Sequence, residues 1–159
     1  EDTKITAFKV DHSPVDPSYA FKIEYKDRSI VVSGDTISLE VMTEYSKGVD
    51  VLFHDALAKP LIQEMEKISE EIGNNIVSKV LFDIQDYHAS TTEVAEIAKR
   101  AEVDLLVFYH LIPAPRNYIS EQMFLRGVDD IFTSYHVSED GTLVSLPAGS
   151  DEILIDLID

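Results

Sequence analysis

Ser29-Ile30-Val31-Val32-Ser33-Gly34-Asp35-Thr36 is the stretch from which the rest of the chain can be read. Three consecutive β-branched residues run into a small residue, a glycine and an aspartate, the pattern by which a buried strand delivers a carboxylate to its C-terminal rim. Ligands bind at such rims in open α/β sheets. The glycine is expected to turn the backbone sharply, so that Asp35 leaves the sheet instead of entering the core. Taken alone, the stretch serves equally well as a strand-to-turn junction whose aspartate caps the next helix. The residues around it decide between the two.

The 159 residues are one domain's worth, and a 45% hydrophobic content is that of a globular protein with a real core. Thirteen basic against thirty acidic residues leave a formal charge of −17, with no cluster of Lys and Arg, so a nucleic-acid face built by this chain is disfavoured. Most of those carboxylates are read as solvated helix faces. Without cysteine there is no disulfide and no thiolate metal site, so any metal would need His and carboxylate ligands. No apolar run approaches the ~20 residues of a membrane span. The expectation is a soluble protein, cytoplasmic or periplasmic, with no membrane partner. Glu1-Asp2-Thr3-Lys4 is neither a signal peptide nor a Met start, and is read as a cut or processing boundary with further chain upstream.

Taken outward from the central stretch, Ala20 to Tyr25 alternates apolar and polar residues and predicts a hairpin with Ser29–Ser33 through Lys26-Asp27-Arg28. Ile5 to Val10 reads as a strand ended by Asp11-His12-Ser13-Pro14-Val15-Asp16-Pro17. Downstream, a helix is expected over Ser38 to Lys47 and a buried strand over Val49 to Phe53, ending in His54-Asp55. Pro60 to Tyr87 reads as a helical hairpin broken at Gly73-Asn74-Asn75. Ser90 and Glu93 have capping-box spacing ahead of a helix with Val94, Ile97, Ala98 and Ala101 buried. Leu105 to Tyr109 is a fully apolar strand that runs into His110. The remainder predicts a helical piece around Tyr118 to Leu125, strands around Ile131 to Val137 and Leu143 to Leu146 joined through Asp140-Gly141, and an apolar-acidic tail.

His12, His54 and His110 end predicted strands, His88 precedes a helix, and only His136 lies inside a strand. Core packing does not call for that distribution, and several histidines on one rim with Asp35 point to a shared site. Imidazoles with a carboxylate suit zinc, manganese or iron, which activate water and polarise a phosphoryl, sulfuryl or acyl oxygen. No phosphate-cradling glycine loop, Gly-x-Ser-x-Gly elbow or EF-hand is present in the sequence.

Five motifs occur in an ordered series: Val10-Asp11-His12-Ser13-Pro14, Ser33-Gly34-Asp35-Thr36, Val51-Leu52-Phe53-His54-Asp55-Ala56, His88-Ala89-Ser90 with Glu93-Val94-Ala95, and Leu106-Val107-Phe108-Tyr109-His110-Leu111-Ile112-Pro113. The series resembles the second half of a metallo-β-lactamase-fold hydrolase, in the ribonuclease Z and arylsulfatase-like branch, from about Ile5 to about Pro147. The resemblance implies an α/β fold, the second half of a four-layered αββα sandwich. It also implies two divalent metal ions, zinc first and manganese or iron as alternatives. Asp35 would bridge the two metals and His110 would bind one of them. His88 matches the catalytic histidine, and the residue after His54 is in that branch a glutamate that orients it; here it is Asp55, one methylene shorter. His12 matches a loop histidine facing the substrate, His54 is placed behind the reacting groups, and His136 is left structural.

The branch's His-x-His-x-Asp-His signature belongs to the first half of the fold and is not in this chain, which is read as one segment, residues 1–159. Two metal ligands do not fill a four-coordinate shell, so the segment alone is expected to bind metal weakly and to be inactive. A split sandwich would expose the inner face of its sheet, which calls for the missing half in cis or in another chain; a homodimer is compatible with this. The leading expectation is hydrolysis of a phosphodiester or sulfate ester by metal-bound hydroxide, with a small ester as substrate and His88 as general acid. The alternatives are a tRNA 3′-end endoribonuclease of the ribonuclease Z type, and a metal-free scaffold or binding module of the same fold.

Overall fold

The computed structural model describes residues 3–158; Glu1 and Asp2, which carry the expectation of a processing boundary, and Asp159 lie outside them. The described residues form the strands β1 (Thr3–His12), β2 (Val15–Tyr25), β3 (Arg28–Val32), β4 (Val51–Leu57), β5 (Leu105–Ile112), β6 (Tyr135–Val137), β7 (Thr142–Ser145) and β8 (Leu154–Leu157). The helices are α1 (Glu40–Ser46), α2 (Lys59–Glu71), α3 (Asn75–Asp83), α4 (Thr91–Ala101) and α5 (Tyr118–Phe124). The first six strands form one sheet in the order β1-β2-β3-β4-β5-β6. The pairs β1/β2 and β2/β3 are antiparallel, while β3 to β6 run parallel. The C-terminal ends of β1, β3, β4 and β5 therefore share one rim.

The predicted β2–β3 hairpin is present, with Ile23 opposite Ile30 and Phe21 opposite Val32. Pro17 does not end a strand as expected. It stands inside β2, where the β1 pairing shifts between Val10 and His12 and β3 no longer pairs, so its missing N–H breaks no ladder. The segments around Ile131 to Val137 and Leu143 to Leu146, read as two strands joined through Asp140-Gly141, go to different sheets. β6 is short and joins the large sheet, while β7 pairs with β8, drawn from the apolar-acidic tail. Gly141, at φ +92°, turns the chain between the two sheets, and the Ile158 amide donates to its carbonyl at 2.9 Å.

α1 and α4 cover one face of the large sheet, burying Met42, Val94, Ile97 and Ala101 against Val31, Leu52, Leu106 and Phe108. Ser90 caps α4 in a capping box with Glu93, as its spacing predicts. The opposite face is covered in part. Val144, Leu146 and Ile153 pack on Val51, Leu105 and Val107, and buried Arg28 fixes that segment by donating to the carbonyls of Ser150 and Glu152 while pairing with Asp50 at 3.0 Å. Further along the same face, Ile5, Tyr19, Phe21 and Tyr25 stand at least two-fifths exposed. Such a contiguous apolar sheet face is unusual for a free-standing domain. Among the described residues no helix is long and apolar enough to cross a membrane.

Candidate active site

Gly34 adopts φ +62°, and a Cβ there would stand 2.8 Å from the Tyr19 carbonyl oxygen, so a side chain is excluded by both torsion and space. The turn carries Asp35 to the rim. Asp35 caps no helix: α1 starts at Glu40 behind Leu39, without a side-chain cap. Thr36 ties the turn to the end of β1, its hydroxyl donating to the Asp11 carbonyl at 3.1 Å and accepting the Asp11 amide at 3.3 Å.

The His88 loop is fastened between the turn after β3 and the end of β4. The Ala89 amide donates to the Thr36 carbonyl, and the Leu57 amide donates to the Ala89 carbonyl, each at 2.9 Å. Buried His88 directs Nδ1 at Asp55 Oδ2, 2.7 Å away. The partner is a carboxylate, so Nδ1 carries the proton and Nε2 is left for other contacts. Asp55 is fully buried, and its amide donates to Ser33 Oγ at 3.1 Å. Burial pushes the Asp55 carboxyl up, but hydrogen bonds from His54 and His88 outweigh it and hold the group below its ordinary range.

His54 is not at a strand end as the sequence suggests; it lies within β4, fully buried. Beyond the expected end at Phe53, β4 runs on through His54 and Asp55 to the apolar Ala56 and Leu57, four residues further. His54 Nδ1 approaches both the Asp55 carbonyl at 2.8 Å and Asp55 Oδ1 at 3.0 Å, and its Nε2 is buried without a partner among the described residues. His54, Asp55 and His88 thus form a continuous buried row behind the rim.

β5 does not stop at His110. Tyr109 pairs with Asp55 and Leu111 with Ala56, so His110 is an extra, bulged residue, at φ +46°. A histidine in this left-handed region is uncommon, and the bulge turns the ring out of the strand toward Asp35. Nε2 stands 3.6 Å from Asp35 Oδ2, too far for a hydrogen bond, with both side chains about half exposed. The ring centroid of His88 lies 5.6 Å from that of His110 and 4.9 Å from that of His12. His12 is the last residue of β1, and its Nδ1 donates to the Tyr87 carbonyl at 2.8 Å. Asp35, Asp55, His12, His88 and His110 therefore meet at one rim, His54 lies behind them, and His136 sits in β6.

Three participants were not singled out from the sequence. Ser33 receives the Asp55 amide, Tyr87 anchors His12 through its main chain, and Tyr109 lies beside the carboxylates. Burial and the Asp55 and Asp35 charges raise the Tyr109 phenol, against hydrogen bonding with Ser33 and Gly34. Ser33 and Tyr109 lie inside quoted motifs and Tyr87 adjoins one, which was their only signal.

The pair Asp35 and His110 suits a divalent cation in part: one carboxylate oxygen and one imidazole nitrogen, unbonded to each other, at a separation near the ~3.3 Å edge of a tetrahedral shell with ~2.0 Å bonds. Among the described residues no group of three or more His, Asp or Glu is placed to hold an ion.

No protein-family model matches the chain. Over 104 residues it is 36% identical to ribonuclease Z of Mycolicibacterium paratuberculosis, covering 65% of this chain and 33% of the relative. The chain spans about a third of the length of the ribonucleases Z it matches. A metallo-β-lactamase fold protein of Bacillus subtilis superposes with a TM-score of 0.61 over 87% of this chain and 48% of its own, at 16% identity. The short form of human tRNase Z gives a TM-score of 0.50 over 70% and 37%, at 22% identity. The fold is that of the metallo-β-lactamase proteins. Over the matched part, the sequence is ribonuclease Z-like.

Proposed function

We propose that the chain supplies the C-terminal part of a metal-dependent hydrolase of ester bonds, and that the bond cleaved is a phosphodiester of RNA, as in a ribonuclease Z. The observation that carries this reading is the hydrogen bond from His88 to Asp55 at the rim where Asp35 and His110 stand together. Asp35 and His110 would hold metal; divalent ions bound there would supply an activated water and polarise the ester oxygen. The remaining ligands belong to the missing first half, which packs on the open face carrying Ile5, Tyr19, Phe21 and Tyr25.

The side chains present divide the other tasks. Ionised Asp55 fixes the His88 tautomer and stabilises its imidazolium, so that Nε2 can hand a proton to the leaving oxygen. His54 donates to Asp55 from behind and holds the carboxylate in place. His12, with Nδ1 committed to Tyr87, has Nε2 for a substrate oxygen.

The names of the sequence relatives favour RNA over the small ester expected from charge. One observation keeps the small ester as a second reading: a chain with −17 formal charge gives a polyanion no electrostatic help of its own. The test is metal per chain by elemental analysis of the full-length protein, followed by turnover of a tRNA precursor, an aryl phosphodiester and an aryl sulfate. About two ions per chain with cleavage of the precursor supports the proposal. Turnover of the aryl sulfate alone selects the second reading, and a full-length protein with neither metal nor turnover is a scaffold.

A further inference from the structure

Beside His110 the rim opens into a hollow of about 450 Å³, within the ~300–1,000 Å³ of small-ligand sites. One wall is the segment that follows β5, with Ala114 and Pro115; the other is the turn that follows β6, with Ser138, Glu139 and Asp140. Both walls are fastened. Pro113 and Pro115 stiffen the first, and the capping box of Asn117 and Ser120 locks the start of α5 behind it, Ser120 Oγ also accepting the Arg116 amide at 2.9 Å. In the second, the Ser138 amide and hydroxyl both donate to the Phe108 carbonyl, at 3.0 and 2.8 Å, and the Glu139 amide donates to Thr142 Oγ1 at 2.9 Å. The Glu139 and Asp140 carboxylates take no part in that fastening and have no ion-pair partner among the described residues.

We infer that this hollow reads the base of a nucleotide adjoining the scissile phosphate, and that Glu139 and Asp140 select a base with an amino edge, guanine first and uracil last. The inference rests on the phosphodiester reading above. No Lys or Arg among the described residues lines the hollow, so its two carboxylates repel the phosphate chain. A flat neutral group is what fits, with its face on Ala114 and Pro115 and its edge donating hydrogen bonds, and in RNA that group is a base. Guanine presents two N–H donors side by side, which match the two oxygens of one carboxylate. Adenine and cytosine offer a single amino group. Uracil sets its one N–H between two carbonyl oxygens, which a carboxylate repels. The strongly acidic chain is then no obstacle to an RNA substrate, because this part of the site holds bases and leaves the phosphates to the metal ions and the first half.

The test uses the full-length protein with the dinucleotides GpG, ApA, CpC and UpU, measuring binding by titration calorimetry and cleavage by kcat/KM. Each carries the same base on both sides of the phosphate, so the direction of binding does not enter. GpG should be bound and cleaved about tenfold better than UpU, and Glu139→Gln with Asp140→Asn should bring that ratio to within about twofold, because an amide accepts and donates. Both side chains are exposed and outside the hydrogen bonds of the turn, so the fold tolerates the change. Removing two negative charges raises the affinity for all four dinucleotides alike, so the ratio reports the contact. An even ratio in the wild type, or a preference that survives the double change, would overturn the assignment. Selective binding of GpG without turnover of any diester would retain the base pocket and retire the hydrolase. Turnover of bis(p-nitrophenyl) phosphate with no base preference would do the reverse.

Discussion

Asp55 Oδ2 lies 2.7 Å from His88 Nδ1, although aspartate is one methylene shorter than the glutamate that the resemblance leads one to expect there. The contact is made from the backbone side. The Asp55 amide is held by Ser33 Oγ, and the His88 loop is fastened to Thr36 and Leu57, so strand and loop approach far enough for the shorter side chain. Asp55→Asn keeps the shape but replaces an ionised acceptor by an amide that no longer stabilises imidazolium. On the proposed reading, kcat of the full-length enzyme should fall by about 10²–10⁴. Asp55→Glu should lose activity too, because the extra methylene has no room in a fully buried site. A glutamate variant as active as wild type would show that the shorter reach is not built into the fold.

The same carboxylate makes a pH prediction. Its native pKa is depressed below the ordinary aspartate value, so the unfolded state binds the proton more readily. The contribution to stability is complete above that value and is lost as pH falls through the lower native one. The stability difference between wild type and Asp55→Asn should therefore be constant from pH 7 to about 5 and shrink below about 4. Urea titrations at stepped pH give the difference directly. A difference that grows on acidification would reverse the sign of the proposed shift.

Gly34 and Gly73 offer a matched comparison. Both have positive φ, +62° and +73°, but only at Gly34 would a Cβ meet main chain, the Tyr19 carbonyl. Gly73→Ala should cost about 1 kcal/mol for the left-handed conformation alone, and Gly34→Ala clearly more. Equal costs in urea denaturation would mean that the turn before Asp35 relaxes freely.

The strands and helices that surround the core were legible because their signals are local: β-branched runs in β3 and β4, the capping box of α4, the alternation of β2. The site was legible as far as its residues follow strand-like runs, which is how His12 at the end of β1 and Asp35 just past β3 declare themselves; His110 was found the same way, although β5 runs on past it to Ile112. His54 misled because a His-Asp pair after the apolar run Val51-Leu52-Phe53 looks like a strand end, whereas the strand continues through Ala56 and Leu57. The β7–β8 pairing was missed for a different reason. Which sheet a short strand joins depends on packing against distant residues, here Val51 and Val107, and no local pattern encodes that. The His110 bulge likewise arises from register with β4.

Asp35 and His110 carry the metal prediction. Each is about half exposed, their polar atoms are 3.6 Å apart without a hydrogen bond, and neither packs into the core. Asp35→Ala should therefore leave folding within about 0.5 kcal/mol of wild type, as exposed sites do. If the aspartate bridges two ions, the same change should take both from the full-length protein and abolish turnover. His110→Ala removes one ligand and should lower occupancy of a single ion. His88→Ala, in contrast, should retain the metal and slow substrates with poor leaving groups far more than activated aryl esters, because only the former need a proton delivered. Elemental analysis of the three variants beside their turnover separates the roles. Full metal content in Asp35→Ala would remove the bridging assignment, and equal slowing of both substrate types in His88→Ala would remove the proton donor.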